Sequence, residues 1–205
     1  GIYGLGYLLT KLHQDRIDEF LLGFYGYLAF NMERATFASR ETNLIYASDL
    51  HARSRYRVPD MSDPVPCSSA VALLLLRNML VTERPEGPGL PSRQLRLLWG
   101  APRAWFADGQ RLRFAGMPTH FGEVSCEVVS RAAQGKIEAR VVPPSRDPWQ
   151  AIQLRLRHPT GAKMKRVTVN GKPWDQVDPD KELLTLLPGS AEYRILAEYR
   201  IEGNR

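Results

Sequence analysis

The chain has 205 residues, of which 43% are hydrophobic and 24% charged, and a formal net charge of +6. These proportions are those of an ordinary soluble globular protein of one or two domains, and no low-complexity tract interrupts them. The longest apolar run, Ala70 to Leu76, is seven residues, far short of the roughly 20 that a helix needs to cross a bilayer, so no membrane span is expected.

In chain order, the opening "GIYGLGYLLTKL" lacks the charged, apolar and small-residue layout of a signal peptide. It reads as the tail of a helix or strand already under way, and the chain is expected to be a fragment. Residues Asp15 to Glu33 place Ile17, Phe20, Leu21, Phe24, Leu28, Asn31 and Met32 at spacings of three and four, the stripe of an amphipathic helix. Asp15 is the expected cap, and Asp18 and Glu19 suit the first turn. Residues 36–66 then show no period at all, and loops of that length are either functional or disordered. A second helix is predicted from Ser68 or Ser69 to Glu83, capped by serine after Pro66. Its centre, "AVALLLLRNML", is apolar nearly all round and predicts burial on most sides. Two such helices expressed with nothing more to cover them are expected to self-associate or bind a hydrophobic dye.

The stretch "TERPEGPGLPSR", 82–93, is rich in proline and glycine and marks a boundary. From Gln94 the period changes to alternation. Strands are predicted over 94–99, 111–114, 123–130, 136–142, 151–157, 166–169, 183–186 and 192–201. Asn170-Gly171 between "RVTV" and "KPW" is a hairpin signal. The expected fold is therefore α+β: a helical segment over 1–83, a linker over 84–93, and an antiparallel β-sandwich over 94–205.

Between Arg131 and Lys172 ten Lys/Arg face two acidic residues, a cluster that could meet a polyanion. Arg155 and Arg157, however, alternate with Ile152, Leu154 and Leu156 as a strand's solvated face would, and no aromatic platform interleaves with the charges. No nucleic-acid partner is expected. Cys67 and Cys126 are too few for a disulfide framework or a zinc site; two buried free thiols are expected over one disulfide. The four histidines, including His51, stand at no metal-ligand spacing, and no metal or cofactor is expected. Gly4 and Gly6 lack the third glycine, the preceding strand and the distal acid of a dinucleotide loop.

The segment "LRLLWGAPRAWFADGQRLRFAGMPTHFGEVSCEVVS" resembles the junction of bacterial glycoside hydrolases in which an α-helical toroid of six hairpins precedes a C-terminal β-sandwich. The matching residues are Leu95, Leu97, Leu98, Pro102, Arg103, Trp105 and Gly109, then Pro118, Thr119, Phe121 and Gly122. "LRLRHPTGAKMKRVTVNGKPW" is similar to a hairpin of the same enzymes, and "LLGFYGYLAFNMERATFASRETNLIYA" resembles the end of the toroid, with an F-x-S-x-E pattern at Phe37, Ser39 and Glu41.

The resemblance implies the C-terminal part of a hydrolase acting on an oligo- or polysaccharide through paired carboxylates. The loop over 34–66 would line the pocket and the sandwich would be structural. The missing helices would come from an N-terminal part of the same polypeptide or from a second chain. Glu41 is the candidate catalytic carboxylate, against the plainer reading of a loop glutamate paired to Arg40 or Arg34. Phe37, Tyr46, Asp49, His51 and Tyr56 are candidate substrate contacts, the aromatic ones able to stack on sugar faces or simply to hold the loop down. No second catalytic carboxylate is assigned, and a secreted or periplasmic setting is favoured. The alternative is a non-catalytic carbohydrate-binding or assembly sandwich, which exposed, coplanar tryptophans among Trp99, Trp105, Trp149 and Trp174 would favour and buried ones would oppose.

Overall fold

A computed structural model describes residues 4–32, 39, 66–85, 92–146 and 148–201. The chain divides into two units, Gly1–Asn78 and Met79–Arg205.

Three helices are found among the described residues: α1 (Gly4–His13), α2 (Ile17–Asn31) and α3 (Pro66–Leu80). The opening segment is thus helical. In α2 the buried positions are Ile17, Phe20, Phe24, Tyr27 and Asn31, so four residues of the predicted stripe are buried and Tyr27 joins them, while Leu21, Leu28 and Met32 are half-buried. A methyl group on Gly23 would lie 2.2 Å from Leu8 Cδ2; glycine there lets α1 approach α2. Asp15 does not cap α2. It sits at φ +64 in the turn after α1, where its short polar side chain tolerates the left-handed region, and α2 starts after Arg16 with no side-chain cap. Glu19 instead ties the corner, pairing with Lys11 at 2.9 Å and with Arg16.

Helix α3 begins at Pro66, two residues before the expected cap, because proline's fixed φ suits a first turn that needs no amide donor. Only Val71, Leu75 and Met79 of its apolar centre are deeply buried together, while Leu73 is 67% exposed and Leu74 47%. The expectation of burial on most sides is corrected: a four-residue repeat buries one stripe. Helix α3 also ends earlier than predicted, since Val81 and Thr82 are β-branched and have a strand to pair with.

The described residues of the second unit form eleven strands: β1 (Val81–Pro85), β2 (Ser92–Leu97), β3 (Arg111–Thr119), β4 (Gly122–Arg131), β5 (Lys136–Val142), β6 (Ala151–Arg155), β7 (Met164–Val169), β8 (Lys172–Pro173), β9 (Val177–Asp178), β10 (Leu183–Leu186) and β11 (Tyr193–Tyr199). Residues 84 and 85 of the expected linker belong to β1, and 92 and 93 to β2, which pairs with it antiparallel. One sheet runs β1-β2-β6-β10-β9 and the other β3-β4-β5-β11-β7-β8. The pairings among these strands are antiparallel except that of β2 with β6, a departure from the purely antiparallel expectation. Inward residues of both sheets, such as Leu95, Leu97, Ile152, Leu154 and Leu184 against Val124, Val128, Ile137, Val141 and Ile195, share one hydrophobic core, the arrangement of a β-sandwich. Asn170 and Gly171, at φ +50 and +78, form the expected two-residue hairpin between β7 and β8.

The cysteines are both free, but only Cys126 is buried; Cys67 is exposed. Burial pushes the Cys126 thiol up to about 12. Arg155 also departs from expectation. It is 2% exposed, because the face of β6 opposite the core is covered as well.

Candidate functional site

The candidate residues Glu41, Phe37, Tyr46, Asp49, His51 and Tyr56 lie outside the described residues. The described part of that loop is Ser39, the central residue of the F-x-S-x-E pattern. Its side chain is fully buried. It forms a backbone bridge with Met32 at the end of α2, and Ser69 Oγ, near the start of α3, donates to its Oγ at 2.7 Å. Tyr27 of α2 donates its hydroxyl to the Ser68 carbonyl at 2.7 Å, and burial raises its pKa. The chain two residues before Glu41 is therefore anchored where α2 and α3 are joined.

In the sandwich, two buried side-chain clusters stand out, the first built on Arg103 of the junction motif. Arg103 donates from Nη1 to Glu182 Oε1 at 2.9 Å and to the His158 carbonyl at 2.7 Å, and its Nη2 reaches Glu182 Oε2 at 2.6 Å. The His158 amide donates to the same Glu182 oxygen, Oε1, at 2.7 Å. The His158 ring is buried, with Nε2 3.1 Å from the Ala132 carbonyl and Nδ1 2.9 Å from Thr160 Oγ1. A carbonyl only accepts, so Nε2 carries the proton. Tyr199 packs beside this ring and donates to the Leu156 carbonyl at 2.7 Å. Burial, and then the nearby Glu182 carboxylate, raise the Tyr199 hydroxyl well above its ordinary pKa.

The second cluster is built on Trp99. The guanidinium carbons of Arg96 and Arg155 each lie 3.9 Å from its ring centroid, too close for both to share one face, so the indole is held between two cations. Arg96 Nε also donates to Gln153 at 3.2 Å. Cation–π contacts are worth about 2 kcal/mol when desolvated, and both arginines are buried.

Trp149 is buried and donates to the Pro144 carbonyl at 3.1 Å. Trp105 and Trp174 pack against the core, and Trp174 donates to the Thr185 carbonyl at 3.0 Å. None of the four tryptophans forms an exposed platform.

The carboxylates of the sandwich are mostly tied to cations. Glu127 pairs with Arg111, Glu138 with Arg131, Glu192 with Arg140 and Arg194, Glu198 with Arg166, and Asp180 with Lys163. Hydrogen bonds from Arg140 and Arg194 hold Glu192 down to about 2, and Lys163 lowers Asp180. Carboxylates held ionised in this way are poor proton donors near neutral pH. Among the described residues no cluster of three or more His, Cys, Asp or Glu could hold a metal ion, and no helix is long and apolar enough to cross a membrane.

Sequence reasoning placed Arg103 in a motif but not its partner Glu182, 79 residues away, because nothing local to Glu182 announces the contact. The Arg96–Trp99–Arg155 stack was equally hidden, its alternation reading as a solvated face.

No family model matches the chain, and no curated protein matches it. A solved structure titled "Glycoside hydrolase" superposes with a TM-score of 0.35 at 12% identity, over 80% of this chain and 23% of that one. The chain thus spans under a quarter of that structure's length. A superposition that loose fixes neither a fold nor an activity.

Proposed function

We propose that the chain is the C-terminal part of a carbohydrate-active hydrolase that cleaves glycosidic bonds by carboxylate acid–base chemistry. In this reading 34–66 supplies one wall of the pocket, Glu41 is a catalytic carboxylate, and the β-sandwich supports a helical toroid completed by further helices of the same polypeptide or of a second chain. The observation that carries it is the anchoring of Ser39. A fully buried serine, clasped between the ends of two helices, gives the residues that follow a fixed point of departure. Catalytic groups need such a mounting, since misplacement by an ångström is costly.

Two further features agree with it. Motif residues of the sandwich perform structural tasks: Leu95, Leu97 and Leu98 fill the core, Arg103 neutralises Glu182, and Thr119 Oγ1 donates to the Gly122 carbonyl at 2.6 Å in the turn before β4. Glu192 and Asp180 of the sandwich are held ionised by their cations and are poor proton donors. The packed tryptophans speak against a binding module built on them.

The test is turnover of a panel of glycosides by the intact native polypeptide and its Glu41→Gln variant. A general acid or base contributes about 10²–10⁴-fold, so the variant should lose at least 100-fold with its melting temperature unchanged. Activity within twofold of the parent would remove Glu41 from the mechanism. Hydrolysis of no glycoside by the intact protein would overturn the whole reading.

A further inference from the structure

The outer face of the six-stranded sheet carries a concavity of about 540 Å³, within the 300–1,000 Å³ range of ligand pockets. Its floor follows from strand register. Arg111, Val129, Glu138, Leu196 and Thr168 stand side by side on β3, β4, β5, β11 and β7. In the next row Glu127, Arg140 and Arg194 are neighbours on β4, β5 and β11. Four inter-strand steps make the first row roughly 19 Å long, more than a single sugar ring occupies.

We propose that this face binds a carboxylate-bearing oligosaccharide, a role beyond the structural one assigned to the sandwich above and independent of Glu41. Val129 and Leu196, both partly exposed, stand on either side of Glu138 and offer two separate apolar contacts to the C–H faces of an oligosaccharide. Glu138 between them and Glu127 in the next row are acceptors for sugar hydroxyls. Arg111 and Arg194 engage Glu127 and Glu192 through Nε, and their Nη groups carry no hydrogen bond to other described residues. All three lining arginines have side chains more than half exposed. Planar guanidinium forks match a carboxylate bidentately; Arg140 is engaged by Glu192 through Nη2, and the open edges of Arg111 and Arg194, one in each row, suit an acid repeated from sugar to sugar.

The charge pattern favours this ligand over a nucleic acid. Among the described residues no aromatic side chain lines the concavity to stack a base. Glu127 and Glu138 interleave with the arginines, which repels a continuous run of phosphates and suits the sparser charge of an acidic glycan.

Calorimetric titration of the full chain with trigalacturonate, its methyl ester and a single-stranded DNA 12-mer tests this. Trigalacturonate should bind, the ester at least tenfold more weakly, and Arg140→Gln with Arg194→Gln should weaken the acid tenfold or more. Because that double variant frees Glu192, Leu196→Ala, which removes an apolar contact and leaves every charge in place, serves as a second variant with the same expected loss. The proposal is overturned by absence of binding at millimolar trigalacturonate, by equal affinity for the ester, by unchanged affinity in Leu196→Ala, or by DNA binding more tightly than the acid.

Discussion

Arg103→Met is the perturbation whose consequence the structure defines best. The substitution removes three contacts of 2.6–2.9 Å, two to Glu182 and one to the His158 carbonyl. The Glu182 side chain is 6% exposed and that of Arg103 42%. Breaking a fully buried pair by deleting one partner costs about 3–5 kcal/mol, whereas an exposed pair is worth under about 1 kcal/mol. With one partner buried and the other half-open, water can reach part of the abandoned carboxylate, and the His158 amide still donates to it at 2.7 Å. The expected loss is about 2–3 kcal/mol, which for a unit of this size lowers the melting temperature by roughly 10 °C. Calorimetry and urea unfolding measure it. Glu182→Gln, made in the Arg103→Met background, removes the stranded charge while keeping an acceptor for the His158 amide, so it should recover more than half of the loss. A single-variant loss below about 0.5 kcal/mol would refute the reasoning, as would a double variant whose loss is the sum of the two singles.

Trp99→Ala leaves the buried Arg96 and Arg155 guanidiniums without the ring between them, and should cost about 3–5 kcal/mol in urea unfolding; a loss under 1 kcal/mol would show that the stack contributes little. Gly122 sits at φ +105, and a methyl added there would lie only 3.3 Å from Arg146 Cβ, so Gly122→Ala should cost about 1–3 kcal/mol; a neutral result would contradict that backbone conformation. Glu192 is held at about 2 in the folded chain against an ordinary 4.5. Its contribution is therefore present above pH 4.5 and lost as pH falls through about 2, and Glu192→Gln should flatten the acid limb of a stability–pH curve; an unchanged limb would exclude it. Iodoacetamide at pH 8 should modify Cys67 and spare Cys126 until urea is added, given that one is exposed and the other is buried with its thiol at about 12; two labels in the native chain would refute this.

How far the candidate site could be read divides along the same lines as the fold. The F-x-S-x-E pattern drew attention to 34–66, but only the structure shows that its serine is buried between the ends of α2 and α3. The arginines of the concave face were visible as alternation in β11, where Arg194 and Glu198 face outward. Their assembly with Arg111 and Arg140 required the sheet order β3-β4-β5-β11, which brings together positions more than 80 residues apart.

The sequence by itself determined that a helical part precedes a part of alternating period, and hence the order of helices before strands. It also determined the Asn170-Gly171 turn and the inward face of strands such as β5 and β11, because these depend on neighbours a few residues away. Only the tertiary structure decided that Val81–Pro85 is a strand and not the end of α3, that β2 and β6 run parallel, and that Arg155 is buried against Trp99. Each of those outcomes turns on a partner distant in sequence: the β2 edge for Val81, the Trp99 ring for Arg155. Local pattern records which side of a strand is polar, but whether that side meets water or another side chain is settled by what the fold lays over it.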